Sequence, residues 1–179
     1  MRRPVPIPDR FETERLRLRA MTIDDVDLLT TLNSDDEVMR HLTGRASTSD
    51  ESAQELASSL GTRWLLFGYD DGDFHGWVAA TPVDPNGEFD LGWRLRRSAW
   101  GQGFACEAAS SLVDHLFAAG ATRLIAQTMA VNERSRAVMD RLGLVHARTF
   151  HLDVEDPLPG TELGEVEYEL TRATWEQRS

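Results

Sequence analysis

The run WGQGFACEAA, Trp100 to Ala109, sets Gly101 and Gly103 on either side of one residue at what reads as the mouth of a helix. A loop entering a helix leaves the first backbone N–H groups without partners, and the helix dipole adds partial positive charge there. Glycine at 101 and 103 removes side chains that would keep a phosphate from those groups, while Ala105 and Ala108 let the helix lie close to a strand. The loop reads either as an anion cradle or as a plain tight connection. Arg94, Arg96 and Arg97 stand just upstream in an otherwise acidic chain, and with the glycines they favour a polyanionic ligand over a solvated strand edge. A dinucleotide fold would want a third glycine where Cys106 stands and an acid about twenty residues on. Thr122 to Ala126 carries no acid, which disfavours NAD and FAD.

Outward from this loop, EFDLGWRL before it predicts a strand, and RWLLFGYDDGDFHGWVAATPV predicts two more joined by the turn-forming DDGD, an antiparallel meander. After the loop, Ala108, Leu112, Val113, Leu116 and Phe117 form one apolar stripe on a helix that Gly120 stops. The apolar TRLIAQTMA follows as a strand. NERSRAVMDRLG then predicts a short helix with Asn132 as N-cap and Gly143 as C-cap. LVHARTFHL and EVEYELTRATW predict a closing hairpin. Nearer the start, Leu16 and Leu18 alternate with arginines as in a half-buried strand. Thr22 is a candidate N-cap for a helix carrying Ile23, Val26 and Leu29, and SAQELASSL predicts a helix ending at Gly61.

The 179 residues suit one domain, 1–179, with a full-sized core. No stretch approaches the apolar length needed to cross a bilayer, and MRRPVPIPDRF lacks the apolar core of a signal peptide, so a cytoplasmic location is expected. All 19 basic residues are arginine, which excludes P-loop and Schiff-base chemistry that needs a lysine. The net charge of -11 argues against a nucleic-acid partner. One cysteine and five histidines without HEXXH or i, i+4 spacing argue against a metal site.

Taken together, ETERLRLRAMTIDD, SDDEVMRHLTG, LGWRLRRSAWGQGFACEA, NERSRAVMDRLGL and VEYELTRATW resemble the GNAT N-acetyltransferase superfamily, in its RimJ/RimL-like branch of ribosomal-protein N-terminal acetyltransferases. The resemblance spans almost the whole chain. It implies an α/β (α+β) fold, a mixed and mostly antiparallel sheet with helices on both faces. It also implies transfer of an acetyl group from acetyl-CoA to a primary amine, the amine being a protein N-terminus or a small molecule. Carried over by position, the backbone of Trp93, Arg94 and Leu95 would pair with the pantetheine arm like an added strand. Gly101, Gln102, Gly103, Phe104, Ala105 and Cys106 would cradle the pyrophosphate, with Arg96 and Arg97 beside them, and Asn132 would contact the cofactor near its thioester. Proteins of this branch are often dimers, so the resemblance admits a homodimer. Trp100 replaces the glutamine or arginine common in the superfamily, a substitution that itself resembles the branch. Met139 stands where many members have a tyrosine acid, and Gln127 where some have a glutamate base, so the catalytic roles must lie elsewhere.

Attack of an amine on a thioester needs a neutral amine, a polarised carbonyl and a proton for the thiolate, with no covalent enzyme intermediate. Ser135, one turn after Asn132, is the candidate proton donor, against a plain helix-start hydroxyl. Glu88 and Asp90 share one strand face and are candidate bases, against a solubilising role or binding of a cationic acceptor. Cys106 reads as a small buried core residue rather than a nucleophile. Two other readings stay open: a catalytically inactive CoA-binding regulatory or interaction module, and a structural protein whose glycine loop binds nothing.

Overall fold

The computed structural model describes residues 7–178, so the two arginines near the N-terminus and the first prolines lie outside the described residues. The strands are β1 (Arg10–Glu12), β2 (Leu16–Ala20), β3 (Arg63–Gly68), β4 (Phe74–Pro82), β5 (Glu88–Leu95), β6 (Arg123–Met129), β7 (Val145–Phe150) and β8 (Glu165–Thr171). They form an eight-stranded sheet in the order β1-β2-β3-β4-β5-β6-β8-β7. Pairing is antiparallel in β1/β2, β2/β3, β3/β4, β6/β8 and β7/β8, and parallel in β5/β6. Parallel neighbours need a crossover, supplied by helix α4 (Phe104–Ala118). The other helices are α1 (Val26–Asn33), α2 (Asp36–Met39), α3 (Ser49–Ser59), α5 (Glu133–Leu142) and α6 (Arg172–Glu176). The sheet is mixed and mostly antiparallel, as the resemblance implies.

The chain gathers into two compact units. One comprises Pro8–Ala79 and Trp93–Ala108; the other is built on Ala80–Gly92 and Ala109–Ser179. In the first, Leu16 and Leu18 of β2 are buried as their alternation predicts, with Leu29 and Leu32 of α1, Leu56 of α3 and Leu65 and Leu66 of β3. Gly76 has φ +142°, and a Cβ there would overlap the carbonyl of Arg94, so only glycine lets β4 approach the end of β5 this closely. The start of α1 departs from expectation: Ile23–Asp25 is a 3-10 turn and Ile23 is 60% exposed. Polar contacts fix this turn instead of Ile23 burial. The Asp25 carboxylate accepts from the Thr22 N–H and hydroxyl and from the Arg19 guanidinium.

In the second unit, Ala109, Leu112, Val113, Leu116 and Phe117 are buried along α4, and Gly120 (φ +112°) ends the segment as predicted. Asn132 caps α5 by accepting from the Ser135 N–H, and Gly143 closes it at φ +74°. The closing hairpin forms, but Arg172–Glu176 is helix rather than strand. The Thr171 side chain accepts from the Thr174 N–H and starts that helix. Arg172 then donates to the Phe117 and Ala121 carbonyls, and Arg178 to those of Leu142 and Gly143. Cations thereby meet the carbonyl-rich ends of α4 and α5.

Candidate active site

The glycine loop belongs to the first unit. Gly101 and Gly103 adopt φ +74° and +82°, left-handed values that other residues reach only with strain. A Cβ on Gly101 would meet nothing within 4 Å, so the loop surface is open there. Helix α4 begins at Phe104, and the first N–H to bond back along it is that of Glu107, to the Gly103 carbonyl at 3.0 Å. The N–H groups of Phe104, Ala105 and Cys106 precede that bond and have no intrahelical acceptor. An open glycine at 101, with three such donors beyond Gly103, fits a phosphate. Gln102 is exposed, with its side chain donating to the Ser98 carbonyl at 2.7 Å. Phe104 is buried and stacks on His75 at 4.7 Å. Cys106 is half-buried, which corrects its reading as a small buried core residue. As an early α4 position it lies on the open first turn rather than on the apolar stripe.

The arginine cluster is corrected in the same way. Arg94 points inward, 10% exposed, with its Nη1 on the Glu55 carboxylate (3.0 Å) and on Asn33 Oδ1 (2.6 Å). The half-buried Glu55 carboxylate claims this guanidinium, so the backbone of Arg94 is what remains for a ligand. Arg96 donates to the Phe74 carbonyl (3.2 Å), and exposed Arg97 pairs with Asp35 (2.6 Å). The parallel β5/β6 ladder covers Glu88–Leu91 and does not reach Trp93, Arg94 and Leu95.

The second unit holds the candidate acid–base groups. Glu88 pairs with Arg123 at 2.7 Å. Asp90, on the same face of β5, makes no such ion pair among the described residues; burial, then Glu167 and Glu88, push its pKa up to about 6. Register explains this carboxylate-rich face: Gln127 lies opposite Glu167, and Arg148 opposite the same Glu167. Glu167 is buried, accepts from Arg148 (2.8 Å) and Gln127 (2.7 Å), and lies below the usual carboxylate range chiefly because of Arg148. Asn132 and Ser135 come together at the start of α5, the Ser135 N–H donating to Asn132 Oδ1 at 3.3 Å, while Asn132 Nδ2 donates to Thr128 Oγ1 at 3.0 Å. Met139 is 1% exposed, a core residue.

Sequence reasoning missed four residues. Arg15 and Glu107, 92 residues apart, meet beside the glycine loop. Glu167 was detectable only as one of the carboxylates alternating along EVEYEL. Glu55 left no local signal of its contact with Arg94.

A sequence profile of the acetyltransferase (GNAT) domain matches residues 15–145. The chain is 35% identical over 182 aligned residues to the FsC-acetyl coenzyme A-N(2)-transacetylase of Aspergillus fumigatus, covering 92% of this chain and 77% of that protein. Among solved structures, it is similar to the spermidine N-acetyltransferase of Vibrio cholerae in complex with CoA and spermine, with TM-score 0.74, 15% identity and coverage of 90% and 98%. It is also similar to the acetyltransferase of Salmonella typhimurium that modifies the N-terminal serine of ribosomal protein L7/L12, with TM-score 0.73, 19% identity and coverage of 89% and 96%. These two likenesses concern the fold, whereas the profile and the fungal relative concern the sequence itself. The chain belongs to the GNAT acetyltransferase family and is an enzyme of the N-acetyltransferase type.

Proposed function

We propose that the protein uses acetyl-CoA to acetylate a primary amine by direct attack. The observation that carries this reading is the open Gly101–Gly103 turn ahead of three unpaired helix N–H groups, in a chain of this family. These donors and Gly103 receive the pyrophosphate, and the backbone of Trp93 to Leu95 receives the pantetheine arm. Acetyl-CoA, when bound, supplies a thioester at which a C–N bond forms and the C–S bond breaks, with one proton passing net from nitrogen to sulfur. Asp90 is the base for the attacking amine, because Glu88 is engaged by Arg123 and Asp90 is not. Ser135, placed by Asn132 at the start of α5, supplies the proton to the leaving sulfur. Excess carboxylate on the β5/β8 face suits a cationic acceptor, a protein N-terminus or a small-molecule amine such as a polyamine. The same reading makes the protein cytoplasmic and admits a homodimer.

A second reading is favoured by Met139 in the core and by Gln127 bonded to Glu167: a CoA-binding module without turnover. Thiol release from acetyl-CoA, measured with a panel of polyamines, amino sugars and peptides with free N-termini, separates the two. The enzyme reading predicts release with at least one amine, and a Ser135→Ala variant whose turnover falls more than its acetyl-CoA affinity. CoA binding without release from any amine would favour the module.

A further inference from the structure

Glu107 lies one turn into α4, yet its carboxylate turns back to the loop between β1 and β2. It accepts from the Thr13 hydroxyl (2.5 Å), the Arg15 main-chain N–H (2.8 Å) and Arg15 Nε (2.6 Å), and Arg15 Nη2 lies 2.6 Å from its second oxygen. Burial pushes this carboxyl up, but the donors from Thr13 and Arg15 outweigh it and hold the pKa below the ordinary value. The remaining arm of Arg15, Nη1, donates to the Gln102 carbonyl at 2.9 Å. Its Nη2 lies 3.4 Å from where a Cβ on Gly103 would sit, and its guanidinium carbon is 4.7 Å from the Phe104 ring centroid.

In a trans peptide the C=O and the following N–H point in opposite directions. With the Gln102 carbonyl held on Arg15, the Gly103 N–H must point away from Arg15. Glycines at 101 and 103 leave the intervening peptides free to rotate, because both conformations cost little at glycine. The loop that suits a phosphate is therefore one that needs an external brace. Arg15 supplies it without competing as an anion ligand, since the Glu107 carboxylate already neutralises its charge.

We infer that Arg15, braced by Glu107 and Thr13, is a positioning residue that fixes the Gln102–Gly103 peptide with its N–H toward the ligand and so sets affinity for the pyrophosphate of the acyl donor. The inference rests on the acetyl-CoA reading above. Its test compares CoA with S-acetylpantetheine, which lacks the pyrophosphate, in the wild type, Arg15→Met, Arg15→Lys and Glu107→Gln. Methionine keeps an apolar stem over Phe104, and lysine keeps the charge without the fork that reaches both partners. Loss of one charge-assisted hydrogen bond predicts CoA binding weakened about tenfold or more in both Arg15 variants. Binding of S-acetylpantetheine and thermal unfolding should stay near wild type, and Glu107→Gln should weaken CoA in the same direction. An unchanged CoA to S-acetylpantetheine ratio in folded Arg15 variants would overturn the inference. So would full affinity in Arg15→Lys with tighter binding in Glu107→Gln, the pattern of a direct phosphate ligand. Failure of both Arg15 variants to fold would overturn it as well, making the brace a determinant of the fold. Absence of CoA binding by the wild type would instead remove the underlying reading.

Discussion

Asp90 is crowded by carboxylates rather than matched by a cation. Arg123 serves Glu88, Glu169 and Glu167, and Arg148 serves Glu167. Burial, with Glu167 and Glu88 adding repulsion, raises Asp90 to about 6, close to where a general base works best. Asp90→Asn should lower kcat by about a hundredfold or more and abolish the acidic limb of the rate profile near pH 6. The stability effect has the opposite sign. A folded pKa above the unfolded value of 3.8 means that the favourable contribution is present below pH 3.8 and lost as pH rises through about 6. At pH 7.5 the ionised group therefore costs up to about 3 kcal/mol, and asparagine should raise the unfolding temperature there but not at pH 3.5. Raised stability with unchanged kcat would make Asp90 a half-buried carboxyl without a catalytic part. That Glu88 and Asp90 share a face is legible from alternation along EFDLGW. Which of them lacks a cation is not, because Arg123 and Glu167 reach that face only through strand pairing.

Among the elements, α1, α3, β3 and β5 of the first unit are tied by one half-buried carboxylate. Glu55 of α3 meets Arg63 of β3 (2.7 Å) and Arg94 of β5 (3.0 Å), and also accepts from Asn33 of α1 (2.8 Å). Its pKa is lowered: burial opposes ionisation, and the Arg94 and Arg63 guanidinium groups outweigh it. Glu55→Gln leaves the Arg94 charge buried with little compensation, so a loss of about 3 kcal/mol in urea unfolding is expected. A loss within about 0.5 kcal/mol would mean that water already screens the cluster. Elements with a strong period were legible: the α4 stripe, the β3/β4 hairpin and α5 between Asn132 and Gly143. Those fixed by polar side chains were not. The start of α1 depends on Asp25 folding back to Arg19, and α6 on Thr171 acting as a cap where the alternation of EVEYELT predicts further strand.

At the scale of the whole molecule, the excess of acids over arginines, net -11, leaves few cations for a ligand, and the arginines upstream of the glycine loop are held by the protein's own acceptors. The proposed anion recognition therefore falls on backbone N–H groups, to which the sequence already pointed through Gly101 and Gly103. The brace that orients them was illegible, since Arg15 and Glu107 join only when the chain is folded. Calorimetric titration of acetyl-CoA into the wild type and Gly103→Val, with NAD and ATP as controls, tests this claim most directly. Selective micromolar binding by the wild type, about -8 kcal/mol, is predicted. Gly103→Val should remain folded and lose at least about thirtyfold in affinity, because a branched side chain is strained at positive φ and crowds the Arg15 guanidinium that holds the loop. No heat from the wild type, or equal affinity in the folded variant, would contradict the account.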